Sequence, residues 1–200
     1  MEDLSLHILD IAENSIAAGS NRIKIKILEN TIENFFRIEI SDNGKGMDKD
    51  TIKKAHDPFF TSKPNKRVGL GISLLEQAAK EGNGNMDIIS KKGEGTTIIA
   101  DFQHNHIDRK PLGDIEKTLI VLIAGNPGCD FVFEHERNNL TYSIDTSNIK
   151  NKLQGIPVND PGVIKYIKDG ISKWLNDTKS FNITDDSGID DVSLSNGKGR

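Results

Sequence analysis

Two short runs of strict alternation limit the possible folds of this chain more than any other feature. Arg22 to Leu28 sets Ile23, Ile25 and Ile27 against Lys24 and Lys26, and Phe36 to Ser41 sets Phe36, Ile38 and Ile40 against Arg37 and Glu39. Successive side chains of a strand point to opposite faces, so each run offers one apolar and one charged face. Such strands need a covering layer on one side only. Helices with matching stripes flank them. Over residues 4 to 18, Leu4, Ile8, Leu9, Ile11, Ala12 and Ile16 share one broad arc. Asp10 and Asn14 fall opposite that arc with His7 beside them, and Gly19 suits a C-cap. Gly71 to Lys80 reads as a second helix ended by Gly82, and strands near Met86 to Lys91 and Thr96 to Phe102 complete the unit. The order helix, strand, strand, helix, strand, strand predicts an α/β fold, a two-layer sandwich with helices on one face of the sheet.

Between about Asp48 and Val68 the pattern gives a short helix, then an irregular segment broken by Pro58 and Pro64. Asn105 to Gly113 reads as a connector. An αββα extension follows: helix Ile115 to Ala124, a hairpin of Phe131 to Glu136 with Leu140 to Asp145, and a helix around Pro161 to Leu175. From Asn176 onward Asp, Ser, Asn and Gly replace large apolar residues, which predicts disorder. The expected organisation is a domain over residues 1–104, an α+β extension over 105–175 and a tail over 176–200.

Composition removes several classes of function. With 26 basic and 30 acidic residues among 200, the net charge is −4, and no basic footprint for nucleic acid is present. The longest apolar run, Leu119 to Ala124, is far short of the ~20 residues that span a bilayer. No charged-then-apolar leader is read ahead of the first helix. The single cysteine, Cys129, excludes an internal disulfide and suits a reducing compartment. A cytoplasmic protein is expected.

Four clusters carry chemistry, each with a plainer reading beside it. Side chains at i and i+4 of a helix sit about 5–6 Å apart, so Asp10 and Asn14 can share a site. There an amide oxygen suits Mg²⁺, and a carboxylate can take a proton or orient a water. The same pair also fits a solvated helix face. Asp42-Asn43-Gly44-Lys45-Gly46-Met47 directly follows a buried strand. A carboxylate there can accept from an exocyclic amine, with glycines allowing close backbone approach, although Asp-Asn-Gly is also a common turn. Asp57-Pro58-Phe59-Phe60-Thr61-Ser62-Lys63, followed by Lys66 and Arg67, suggests a hinged flap with cations for anions, or simply a solvated loop. Gly69-Leu70-Gly71 opens the second helix, where free N–H groups make an anion site. Gly93-Glu94-Gly95-Thr96 sits at a strand start, where a turn alone would explain it, and His7, His104 and His106 make no convincing metal set.

Taken in order, these clusters resemble the boxes of the Bergerat nucleotide-binding fold, the GHKL superfamily of gyrase, a heat-shock chaperone, sensor histidine kinases and MutL-type mismatch-repair ATPases. Glu13-Asn14-Ser15-Ile16-Ala17-Ala18-Gly19 resembles the N box and Asp42 to Met47 the first glycine box. Asp57 to Lys63 resembles the F box of histidine kinases, Gly69 to Leu74 their second glycine box, and Gly95-Thr96 the last box. The resemblance implies Asn14 as Mg²⁺ ligand and Asp42 as adenine reader, with Gly46 letting the ring approach and Gly44, Met47 and Phe60 among the cofactor-binding residues. It places Gly69, Leu70 and Gly71 at the phosphates and Thr96 as support for Asp42. From the lid, Lys63, Lys66 or Arg67 would meet the γ-phosphate. ATP and Mg²⁺ are the implied ligands.

Two departures shape the expected activity. No helical segment with an acceptor histidine is read ahead of the N box, and His7 lies inside that box's helix, so a self-sufficient histidine kinase is not expected. Asp10 stands where relatives that phosphorylate serine or hydrolyse ATP often carry glutamate. Imidazole needs no base near neutrality, whereas a hydroxyl or water does, so Asp10 favours a hydroxyl or water acceptor. Being one methylene shorter, it also predicts slow turnover. The chain further resembles stand-alone bacterial ATP-binding proteins that accompany iron hydrogenase and NADH-dehydrogenase subunits, through His106 to Gly113 and the extension. The expectation is a kinase-like or slow ATPase that transfers the γ-phosphoryl to a separate protein, with the extension supplying partner or dimer contacts. A nucleotide-dependent switch and a MutL-like clamp are the alternatives.

Overall fold

The computed structural model describes residues 3–55, 70–153 and 155–184. Asp3 caps helix α1 (Leu4–Ala17) by accepting from the Leu6 N–H. Strands β1 (Arg22–Asn30) and β2 (Phe35–Asp42) form an antiparallel hairpin, and helices α2 (Lys49–Ala55) and α3 (Leu70–Glu81) follow. Strands β3 (Met86–Lys91) and β4 (Gly95–Gln103) come next, then α4 (Ile115–Gly125), β5 (Asp130–Arg137), β6 (Leu140–Asp145), α5 (Thr146–Lys152) and α6 (Pro161–Thr184). These six strands form one sheet in the order β3-β4-β2-β1-β5-β6, antiparallel except for β1 beside β5.

The alternation sorts the two faces as expected. Ile23, Ile25, Ile27, Phe36, Ile38 and Ile40 point inward and are buried, together with Ile98, Ala100, Phe102, Phe131 and Phe133 from the neighbouring strands. Above them α1 packs between α3 and α4, and α6 packs against α4. The opposite face carries the charged set. There Lys24 pairs with Glu134 at 2.9 Å, and Arg37 grips both oxygens of Asp101 at 2.6 and 2.8 Å. Partly exposed pairs of this kind add about 0–1 kcal/mol each, so the apolar face carries the fold.

The extension does not build a core of its own. Its strands lengthen the same sheet, and Ile115, Leu119, Phe131, Ile167 and Ile171 join the cluster that holds Leu4, Ile8 and Ile25. The connector runs back along α1, where the Leu4 and Ser5 N–H groups donate to the carbonyls of Pro111 and Leu112 at 2.9 and 2.8 Å. Two expectations need correction here. The disorder expected from residue 176 does not hold through Thr184, because α6 continues to that residue. Past Leu175 its inward position is filled by Thr178, 2% exposed, whose hydroxyl donates to the Trp174 carbonyl at 2.9 Å. A polar residue thus continues an apolar stripe, and composition misread it. Residues 185–200 lie outside the described residues. Helix α5 was also unforeseen. Asp145 both ends β6 and caps α5 through the Ser147 N–H at 2.9 Å. Among the described residues, no helix is long and apolar enough to cross a membrane.

Candidate functional site

Residues 10 to 15 of α1 organise the site. Asp10 and Asn14 stand one turn apart, and the Asn14 Nδ2 donates to Asp10 Oδ2 at 3.2 Å. Ser15, next in the chain, turns toward the sheet. It is 4% exposed and its hydroxyl donates to Asp42 Oδ2 at 2.6 Å. Asp42 is the last residue of β2, so the strand itself delivers this carboxylate to the edge of the buried layer. Its other oxygen, Oδ1, accepts from the Gly44 N–H at 2.8 Å. Both oxygens are therefore oriented by donors, while a carboxylate has roughly four lone-pair sites, which leaves acceptor capacity for a ligand.

The loop after Asp42 is held at each step. Asn43 Oδ1 accepts from the Ser20 hydroxyl and from the N–H groups of Asn21 and Arg22, at 2.8, 3.1 and 3.0 Å. Lys45 donates its N–H to the Ala18 carbonyl, and Met47 donates its N–H to Ser90 Oγ at 2.8 Å. Gly46 has a φ of 60°, and a Cβ there would lie 2.0 Å from the Lys91 carbonyl oxygen. The turn between β3 and β4 by itself demands glycine at 46. Thr96 lies opposite Asp42 in the β2–β4 register, but its hydroxyl pairs with Ser90 Oγ at 2.9 Å. The hydroxyl that supports Asp42 is that of Ser15, 27 positions away in sequence.

The start of α3 closes the arrangement from the other side. A Cβ on Gly71 would fall 1.7 Å from Asp10 Oδ2 and 3.6 Å from Asn14 Nδ2. Asp10 therefore rests directly on the bare backbone of α3's first turn, where the helix dipole favours negative charge. The shorter acidic side chain reaches across the gap. Leu70 is the first residue of α3. Gly69, Phe60, Lys63, Lys66 and Arg67 lie outside the described residues.

Asp10, Asn14, Asp42, Gly44 and Gly71 are thus brought together, with Ser15 as the member that motif reading left without a role. Its signal was available, since a hydroxyl directly after Asn14 has to face the sheet. Among the described residues, no group of three or more His, Cys, Asp or Glu could hold a metal ion alone. Magnesium usually takes one or two protein oxygens and fills its remaining positions with phosphate and water. An amide oxygen such as that of Asn14 is a ligand type that pattern uses.

Two further buried polar features make no hydrogen bond to these residues among those described. His7 is 2% exposed and its Nδ1 has no partner among the described residues. Burial pushes its imidazole below the ordinary value. At the far end of β1, Glu29 takes His135 Nε2 on Oε1 at 2.9 Å and His104 Nε2 on Oε2 at 3.3 Å. Trp174 Nε1 donates to His135 Nδ1 at 3.0 Å, which leaves Nε2 as the protonated ring nitrogen facing Glu29. Burial would raise the Glu29 carboxyl, but the hydrogen bonds from His104 and His135, with the charge of Arg137, hold it far below the carboxylate range.

Comparison with known proteins bears on the first half of the chain. Residues 2–106 match the family described as histidine kinase-, DNA gyrase B-, and HSP90-like ATPase. A protein of Shewanella frigidimarina described as a sensor is 37% identical over 93 residues, which are 46% of this chain and 14% of that protein. The signal transduction histidine-protein kinase AtoS of Escherichia coli is 36% identical over 92 residues, 46% of this chain and 15% of the kinase. A Rickettsia bellii protein described as an NtrY-like sensor histidine kinase is 30% identical over 110 residues, 55% of this chain and 18% of its own length. The chain therefore spans less than a fifth of each of these relatives. Among solved structures, the Aquifex aeolicus MutL ATPase domain complexed with ADP aligns with a TM-score of 0.45 at 14% identity, covering 70% of this chain and 63% of that one.

Proposed function

The chain belongs to the histidine kinase-, DNA gyrase B- and HSP90-like ATPase family, and from that premise we propose that it is an Mg²⁺-ATP-binding regulatory protein that transfers the γ-phosphoryl group to a hydroxyl of a separate protein. The observation that supports this most is the convergence on one stretch of α1. Ser15 holds Asp42, Asn14 stands beside it, and Asp10 reaches the first turn of α3. In this reading Asp42 accepts a hydrogen bond from the adenine amino group. Asn14 supplies an amide oxygen to the metal, and the N-terminus of α3 receives phosphate oxygens through its free N–H groups. Bound Mg²⁺ would offset charge on the phosphates.

Positioning and electrostatics dominate such transfers, and a base matters most when the acceptor is weakly nucleophilic. Asp10 takes the proton from the attacking hydroxyl, or from a water in slow hydrolysis. The lid cations expected at Lys63, Lys66 or Arg67 would meet developing charge on the γ-phosphate. The test uses the full chain and γ-labelled ATP in host extract. Label moving to a defined protein and lost in Asp10→Asn supports transfer, while tight binding without transfer or hydrolysis supports the nucleotide switch instead. Asp42→Asn should weaken ADP about tenfold or more, because it replaces one acceptor oxygen with a donor. Unchanged ADP affinity would refute the adenine assignment.

A further inference from the structure

We propose that Asp10, besides its part in proton transfer, is the positioning residue that turns the Asn14 amide so that oxygen, not nitrogen, faces the metal. The inference rests on the nucleotide reading above. An ionised carboxylate can only accept hydrogen bonds, so the end of Asn14 that faces it must be the NH₂. That is the pairing observed, with Nδ2 3.2 Å from Asp10 Oδ2. The amide is planar, and its oxygen and nitrogen diverge from one carbon. Holding Nδ2 against Asp10 sends Oδ1 the other way. Losing that acceptor removes the contact that tells the amide's nitrogen from its oxygen at this end, and an NH₂ directed at a cation repels it.

Asp10 can serve this way because it is itself braced. Its Oδ2 lies so close to Gly71 that a Cβ there would come within 1.7 Å of it, so the first turn of α3 limits its outward swing. A glutamate would carry its oxygens about one methylene further, into the same backbone. Aspartate is therefore the acid that fits between Asn14 and a close α3. On the other flank Ser15 is fixed by its bond to Asp42, which sets the rotation of α1 at Asn14. Groups that orient a metal's ligands commonly contribute 10–100-fold to its affinity.

The test measures a fluorescent ADP analogue binding to the full chain with Mg²⁺ and with chelator, and takes the ratio of the two affinities. Asp10→Ala should lower that ratio about tenfold. Asp10→Asn should keep it within about twofold, since its carbonyl still accepts from Asn14, even as turnover collapses. Alanine is the best helix former and the site is half-buried, so a cooperative melt is expected for both variants. A wild-type ratio in Asp10→Ala, or equal damage in both variants, overturns the inference. A wild-type chain that binds no nucleotide would instead remove the reading beneath it.

Discussion

Replacing Gly71 with alanine should separate stability from turnover. The new Cβ would lie 1.7 Å from Asp10 Oδ2 and 2.8 Å from its Cγ, whereas ordinary contact begins near 3.4 Å. One partner has to withdraw by about 1.7 Å. Helix α3 is anchored by Leu75, Ala78 and Ala79, all 3% exposed or less, while Asp10 is a half-buried side chain that can swing back from α3 at the cost of its bond to Asn14. Asp10 therefore moves, and its bond to Asn14 Nδ2 breaks. Losing one half-exposed charged hydrogen bond costs about 1 kcal/mol, and exchanging Gly for Ala in a helix's first turn returns part of that, at most about 1 kcal/mol. The melting temperature should hardly change. Turnover responds differently, since a misplacement of ~1 Å in a reacting group can cost about 100-fold. Thermal unfolding without nucleotide, paired with single-turnover γ-phosphate release or transfer, reads both quantities. Adding Asp10→Asn to this variant should cost little more, because the two changes disable the same group. Turnover within about threefold of wild type, or a loss explained by unfolding, would refute the reasoning.

Two pH dependences follow from the buried groups. Glu29 is held below its ordinary pKa when folded, so its contribution is present above that ordinary value and fades as pH falls below it. Glu29→Gln should cost about 3 kcal/mol at pH 7, the lower end for breaking a buried charged cluster. In denaturant titrations that deficit should shrink steadily below about pH 4.5, and a deficit independent of pH would exclude the network as its source. His7 is depressed by burial, so the unfolded chain binds its proton first and stability falls as pH drops through about 6.5. His7→Leu should remove that slope without loss at pH 8, because Nδ1 has no partner there among the described residues. An unchanged slope would assign it to other groups.

Alternation located the first two strands within two residues, and it failed where an inward position is charged. Strand β1 was expected to stop at Leu28, yet it continues to Asn30 with Glu29 turned inward at 8% exposure. A buried carboxylate reads as the end of a strand unless its partner is known. Its partner His135 stands 106 positions away on β5, beyond any local pattern. The site divides in the same way. Asp10 with Asn14, and Asp42 with Gly44, are close in sequence and could be read from spacing. The bond from Ser15 to Asp42 and the rest of Asp10 on Gly71 depend on how α1, β2 and α3 dock, and spacing is silent on that.

The parallel seam between β1 and β5 decides how the two halves of this chain can influence each other. Strand β1 leaves α1 through the turn that Asn43 fastens, and it carries β5 along eight consecutive residue pairs. Any protein that tugs or tilts the hairpin beyond β5 acts on the root of the helix bearing Asp10 and Asn14, with no linker between to absorb the motion. The added strands are thus continuous with the sheet beneath α1, and a stretch cut out at the connector would keep the motifs but leave one edge of β1 unpaired.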